Sequence, residues 1–355
     1  MYSESDLQAA VEAGVLSAEA AEALRNHVAA QRATPAVDEE NFRLITGFND
    51  IFVVIAIALL LTALAWIGGS QAPVIGSLLV AAASWGLAEF FTRKRRMALP
   101  SIVLLLTFVA SVGITATRIF DPWGDQPLRI TRAENTGEYP VTMGALFGLA
   151  MAAAAAAHWF RFRVPITIAA GALSLVLLLL SVLLITIPAL GDHLTWLTLA
   201  GGIALFAFAM RWDMSDRNRQ TRRSDVAFWL HLAATPLIAH PIFSALGVFA
   251  GNIGLAQAAV VVALYVFFAV VSLAIDRRAL LVSSLAYVLY AISTLFKTFG
   301  ALGLNAALTA LVIGSALLLL SAFWHKARRF VMAPLPQSWK ERLPILDRPA
   351  IVKAA

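Results

Sequence analysis

The sequence predicts an all-α polytopic transmembrane bundle of about ten spans with a small cytoplasmic helical pair at its N-terminus. Three observations carry that prediction. Of 355 residues, 60% are hydrophobic and 14% charged, whereas soluble domains hold about 25% charged residues. Apolar runs of about 20 residues, the length a helix needs to cross the hydrocarbon, recur along a chain whose mean hydropathy is +0.80. The basic residues gather in alternate connections between those runs.

The N-terminal segment, residues 1–41, is a helical pair and linker. Ser3 or Ser5 suits the start of a first helix with Leu7, Ala10 and Val11 on one face. Gly14 suits its end, and Ser17 the start of a second helix bearing Ala21, Leu24 and Val28. No basic segment followed by an apolar one opens the chain, so no cleavable signal peptide is expected. A helix-turn-helix DNA reader is disfavoured, because eight acids against two arginines in 1–41 would repel phosphate.

Residues 42–324 hold the ten spans, expected at 50–69, 73–91, 100–117, 141–160, 164–187, 194–210, 226–249, 256–275, 279–299 and 302–324. Phe42, Ile45 and Phe48 suit the membrane interface before the first span. Basic residues follow every even-numbered span: Arg93 to Arg96, Arg161 and Arg163, Arg211 to Arg223, Arg277 and Arg278, and Lys326 to Arg329. Sixteen lie on that side, against Arg118, Arg129, Arg132 and Lys297 on the other. By the positive-inside rule both termini are cytoplasmic and loop 118–140 faces outward. The net charge of +6 and the pI near 10 follow from this topology, so they are no sign of a nucleic-acid partner. Three hairpins, FFTRKRRMALPS, HWFRFRVPIT and LAIDRRALLV, share an orientation and a tight basic turn, which hints at a repeat. The tail, 325–355, is basic and proline-rich. It is either held on anionic headgroups by Trp339, Lys340 and Arg342 or untethered.

No Walker lysine loop, HExxH, GxSxG or helix-opening GxGxxG occurs, and there is no cysteine. Neither a cofactor nor a metal is therefore expected. Ionisable residues inside a membrane are costly and mark function by default. By the span boundaries above, almost none lies within. Glu89 sits a helical turn before Arg93 and pairs with it. His158 and His325 lie beside basic turns, where an interfacial place is expected.

One candidate polar site is in span seven: His231, Thr235, Pro236, His240 and Pro241. The prolines free the carbonyls of Leu232 and Leu237 and predict a kink. Thr235 can bond the His231 carbonyl and help that bend. The two histidines are nine residues apart, so a straight helix points them to opposite sides. A second candidate is Asn49 and Asp50 at the start of span one, as polar contacts or as helix caps. Asp121, Trp123 and Asp125 of the outer loop can hold a cation or polar ligand, or simply shape turns.

The AGVLSAEAAEAL helical pair, the GFNDIF start of the first span and the WHKARRF exit resemble bacterial predicted membrane proteins classed as a domain of unknown function. The resemblance covers most of the chain and implies a bacterial inner-membrane location. It carries over no catalytic or binding residue. The expected function is non-enzymatic: a membrane scaffold, sensor or assembly component that docks a protein partner through residues 1–35. The alternative is a carrier or exporter of a small neutral or amphipathic solute, through a cavity beside the kinked seventh span. The lipid bilayer is a partner in either case.

Overall fold

The computed structural model describes residues 4–31, 48–120, 139–217, 219, 221–248, 254–298 and 305–346. The chain divides into two units, Met1–Phe42 with Asp347–Ala355, and Arg43–Leu346. Every regular element among the described residues is helical.

The first unit carries α1 (Glu4–Glu12) and α2 (Ala18–Gln31). Gly14 follows α1 with φ +69°, the left-handed conformation that only glycine adopts freely. Ser17 Oγ accepts a hydrogen bond from the Ala20 amide at 3.1 Å and so caps α2.

The second unit runs α3 (Phe48–Gly69), α4 (Pro73–Ala88), α5 (Ala98–Phe120), α6 (Tyr139–Phe162) and α7 (Ile166–Thr186). It continues with α8 (Leu194–Met214), α9 (Arg222–Ala245), α10 (Leu255–Ile275), α11 (Ala279–Thr298) and α12 (Asn305–Ala322). Short α13 (Trp324–Met332) and α14 (Gln337–Lys340) close it. Among the described residues, seven helices, α3 to α9, are long and apolar enough to cross a membrane. An eighth crossing counts if α12 and α13, which meet at 76°, form one bent span. Over their described stretches α10 and α11 offer only the shorter apolar segments Ala259–Ile275 and Leu280–Tyr290. These apolar helices fit a multi-pass integral membrane protein. In hydrocarbon a helix is the local structure that satisfies its own backbone groups.

Half of the apolar window of α5 and of α9 is buried, against 17% of that of α3. α5 and α9 are therefore inner helices, and α3 is peripheral. Small residues set the close approaches. A Cβ on Gly148 of α6 would lie 2.9 Å from the Leu178 amide of α7. One on Gly202 of α8 would lie 2.8 Å from the Leu237 carbonyl carbon of α9. Buried and half-buried hydroxyls on α4 and α5 bond across the pair. Thr115 Oγ1 donates to Ser77 Oγ at 2.8 Å, and Ser84 and Thr107 are 3.0 Å apart.

The basic connections share a conformation. Arg96, Arg163 and Asp276, in the three hairpin turns noted in the sequence, hold φ values of 53°, 57° and 55°, and Arg219 between α8 and α9 holds 52°. The left-handed region costs a non-glycine residue roughly 1–2 kcal/mol, so the side chains must be held by something else. Arg163 lies over the Trp159 ring at 5.5 Å. Arg219 and Asp276 bind each other. We call the side carrying these turns the basic end.

Candidate functional site at the basic end

α8 runs four residues beyond its expected end at 210 and carries Asp213 in its last turn, 2% exposed. α9 begins at Arg222 after Thr221, whose Oγ1 accepts from the Arg223 amide at 3.3 Å. The sharp turn between α10 and α11 presents Asp276, Arg277 and Arg278 in succession. These elements converge on two linked clusters of buried charge.

In the first cluster Arg277, 1% exposed, donates from Nη2 to Asp213 Oδ1 at 2.6 Å. The same Nη2 reaches the Ser224 carbonyl at 3.0 Å. His231, fully buried on α9, approaches the other carboxylate oxygen with Nε2 at 2.9 Å. A carboxylate held by a guanidinium accepts, so Nε2 is the donor. Phe206 packs edge-on against the imidazole at 5.0 Å. Ser272 Oγ donates to the Arg277 carbonyl and fixes the turn.

The second cluster centres on Asp276, 3% exposed. Its Oδ2 takes Arg219 Nη1 at 3.1 Å and Arg328 Nη1 at 3.4 Å, and its Oδ1 takes Trp324 Nε1 at 2.8 Å. Arg278 lies over the Trp324 ring at 4.8 Å. Burial, reinforced by the Arg277 charge, lowers the Arg219 pKa to about 10. It therefore remains a cation at neutral pH.

The C-terminal segment is tied to the same place. Arg328 Nη2 donates to the Pro344 carbonyl at 2.7 Å, and Arg217 Nε to the Leu343 carbonyl at 3.0 Å. Leu343 itself joins an apolar core with Met332, Ile275 and Leu280. Residues up to Leu346 thus belong to the folded unit rather than hanging from it.

The sequence-derived candidates separate. His231 and Thr235 are buried, and Thr235 Oγ1 donates to the His231 carbonyl at 2.7 Å. His240 is exposed, with its ring 6.0 Å from that of Tyr287. Pro236 is exposed and Pro241 buried, both inside the single helix α9. Asp50 is buried in the first turn of α3 and Asn49 is exposed. Asp121, Trp123 and Asp125 lie outside the described residues. His158, beside the Arg161–Arg163 turn, is turned into the protein. It is fully buried among Trp85, Phe108 and Phe162, with Nδ1 3.3 Å from Thr167 Oγ1.

The Asp213–His231 pair is the contact missed in the sequence. Eighteen residues separate the two groups, and Asp213 reads as one more loop charge if span six stops at 210. The usable signal is an aspartate in RWDM directly after the span, facing a histidine early in the next one.

The geometry argues for a lock rather than a relay. An acyl-transfer triad needs a nucleophile on the far imidazole nitrogen. Nδ1 of His231 is buried without a hydrogen-bond partner, and Ser224 Oγ is 3.2 Å from Arg277 instead. Among the described residues no three His, Asp or Glu side chains gather as metal ligands. No protein-family model, curated protein or solved structure matches the chain.

Proposed function

We propose that the chain is a ten-span bacterial inner-membrane protein with cytoplasmic termini, of the kind its GFNDIF and WHKARRF motifs resemble. It works without catalysis, as a scaffold, sensor or assembly component, and α1 and α2 dock a protein partner. One observation carries this reading: Asp213 and Asp276, two buried carboxylates of the basic end, are both bound by arginine side chains. A carboxylate that couples ion flow to solute movement must open to water and exchange partners. Buried pairs whose loss is costly suit a fixed platform instead.

The test uses a strain lacking the protein. Expression of the chain without residues 1–35 restores membrane insertion but not the strain's phenotype. Full rescue by that truncated chain removes the docking role.

The carrier reading keeps one observation in its favour. His240 and Ser244 are exposed on α9, on either side of Pro241. If they line a solute path, cysteine at Ser244 reacts with a polar thiol reagent, and one solute accumulates in the deletion strain. An inert Ser244→Cys beside a reactive loop control eliminates that path.

A further inference from the structure

α13 leaves α12 at 76°. With α12 crossing a bilayer, α13 runs near the plane of its surface. Its inner face is Trp324, Arg328 and Met332, spaced four apart and all buried. Its outer face holds Lys326 and Arg329 beside two exposed aromatics, Phe323 at 51% and Phe330 at 82%. Lys326 Nζ rests over the Phe323 ring at 5.4 Å. The exposed apolar side of α12, with Leu311, Leu318 and Leu319, leads directly into Phe323.

The geometry points to α13 as a binding site for anionic lipid headgroups. Phe323 and Phe330 enter the acyl boundary while Lys326 and Arg329 meet lipid phosphates, the composition of an interfacial helix. The cations of WHKARRF divide by role. Arg328 is engaged by Asp276 and the chain's own carbonyls, which leaves Lys326 and Arg329 on the outer face. A second copy of the chain is a poor occupant, because a two-fold contact would set both cations against their own copies. Each basic side chain near an anionic surface is worth about five-fold in partitioning, so the pair is worth roughly 25-fold.

The natural absence of cysteine permits a clean test. Full-length protein with a spin label at Ala333→Cys, an exposed position at the end of α13, is placed in nanodiscs of phosphatidylcholine with or without phosphatidylglycerol. Phosphatidylglycerol should reduce label accessibility to a water-soluble nickel chelate several-fold. K326Q/R329Q should abolish most of that difference without lowering the melting temperature. Equal accessibility in both lipids overturns the proposal even if the double variant does not fold. Strong dipolar coupling between labels on two copies, in either lipid, also overturns it by assigning the face to self-association.

Discussion

Arg277 Nη2 and Asp213 Oδ1 are 2.6 Å apart although 64 residues separate them in the chain. Both side chains are almost fully buried, and each holds other groups in place: Arg277 the start of α9, Asp213 the imidazole of His231.

Asp213→Asn is therefore expected to destabilise the protein by about 3–5 kcal/mol, the typical cost of stranding one member of a buried ion pair. Arg277→Leu should cost a similar amount, and D213L/R277L clearly less than the sum. Thermal unfolding of the purified variants in detergent measures this. The exposed Glu89–Arg161 pair is the control: its contacts are as short, 2.6 and 2.9 Å, but solvent screens it. Glu89→Gln should leave the midpoint unchanged. Equal losses at Glu89 and Asp213 would contradict the role given to burial.

The two histidines of α9 should respond differently. His231→Ala removes a hydrogen bond to a carboxylate, worth about 1.5–3 kcal/mol, whereas His240→Ala on the exposed side should cost under about 1 kcal/mol. Chemical denaturation of the two variants under the same conditions gives the order. A larger loss at His240 would move the site to the proline-flanked side of α9.

Leu343→Ala should cost about 2–5 kcal/mol, as for a leucine removed from a packed core. Leu319→Ala, at a position 60% exposed, serves as the reference. Hydrogen exchange at the α10–α11 turn should rise in the first variant alone. Unchanged exchange would mean that the C-terminal segment does not brace that turn.

Gly148→Ala should lower the melting temperature, because its Cβ would meet the Leu178 backbone at 2.9 Å and main chain cannot step aside. Gly86→Ala meets nothing within 4 Å and should not. A stable Gly148→Ala variant would show that α6 and α7 are not held together at this point.

The all-helical, multi-span character was legible because apolar length is a local property of a sequence; of the ten spans expected, seven described helices are long and apolar enough to cross a membrane, or eight with the bent pair. The caps at Gly14 and Ser17 and the Thr235 bond to His231 were legible for the same reason. The buried clusters were not. Counting basic residues for topology treats Arg219, Arg277 and Arg328 as solvated, and nothing local distinguishes an arginine that faces water from one that faces Asp213 or Asp276. A span edge misplaced by four residues was enough to put Asp213 in a loop. The burial of His158 was equally hidden, since its aromatic surroundings come from α4 and α5 as well as from its own helix.

The order of synthesis gives the Asp213 cluster a history. The carboxylate is made 18 residues before His231 and 64 before Arg277. At about 5–20 residues per second, the guanidinium follows the carboxylate by roughly 3–13 s. α9, which ends at Ala245, is complete about halfway through that interval, and the counter-charge is still missing then. Of the two side chains that hold Asp213 in the finished protein, His231 is the one available first.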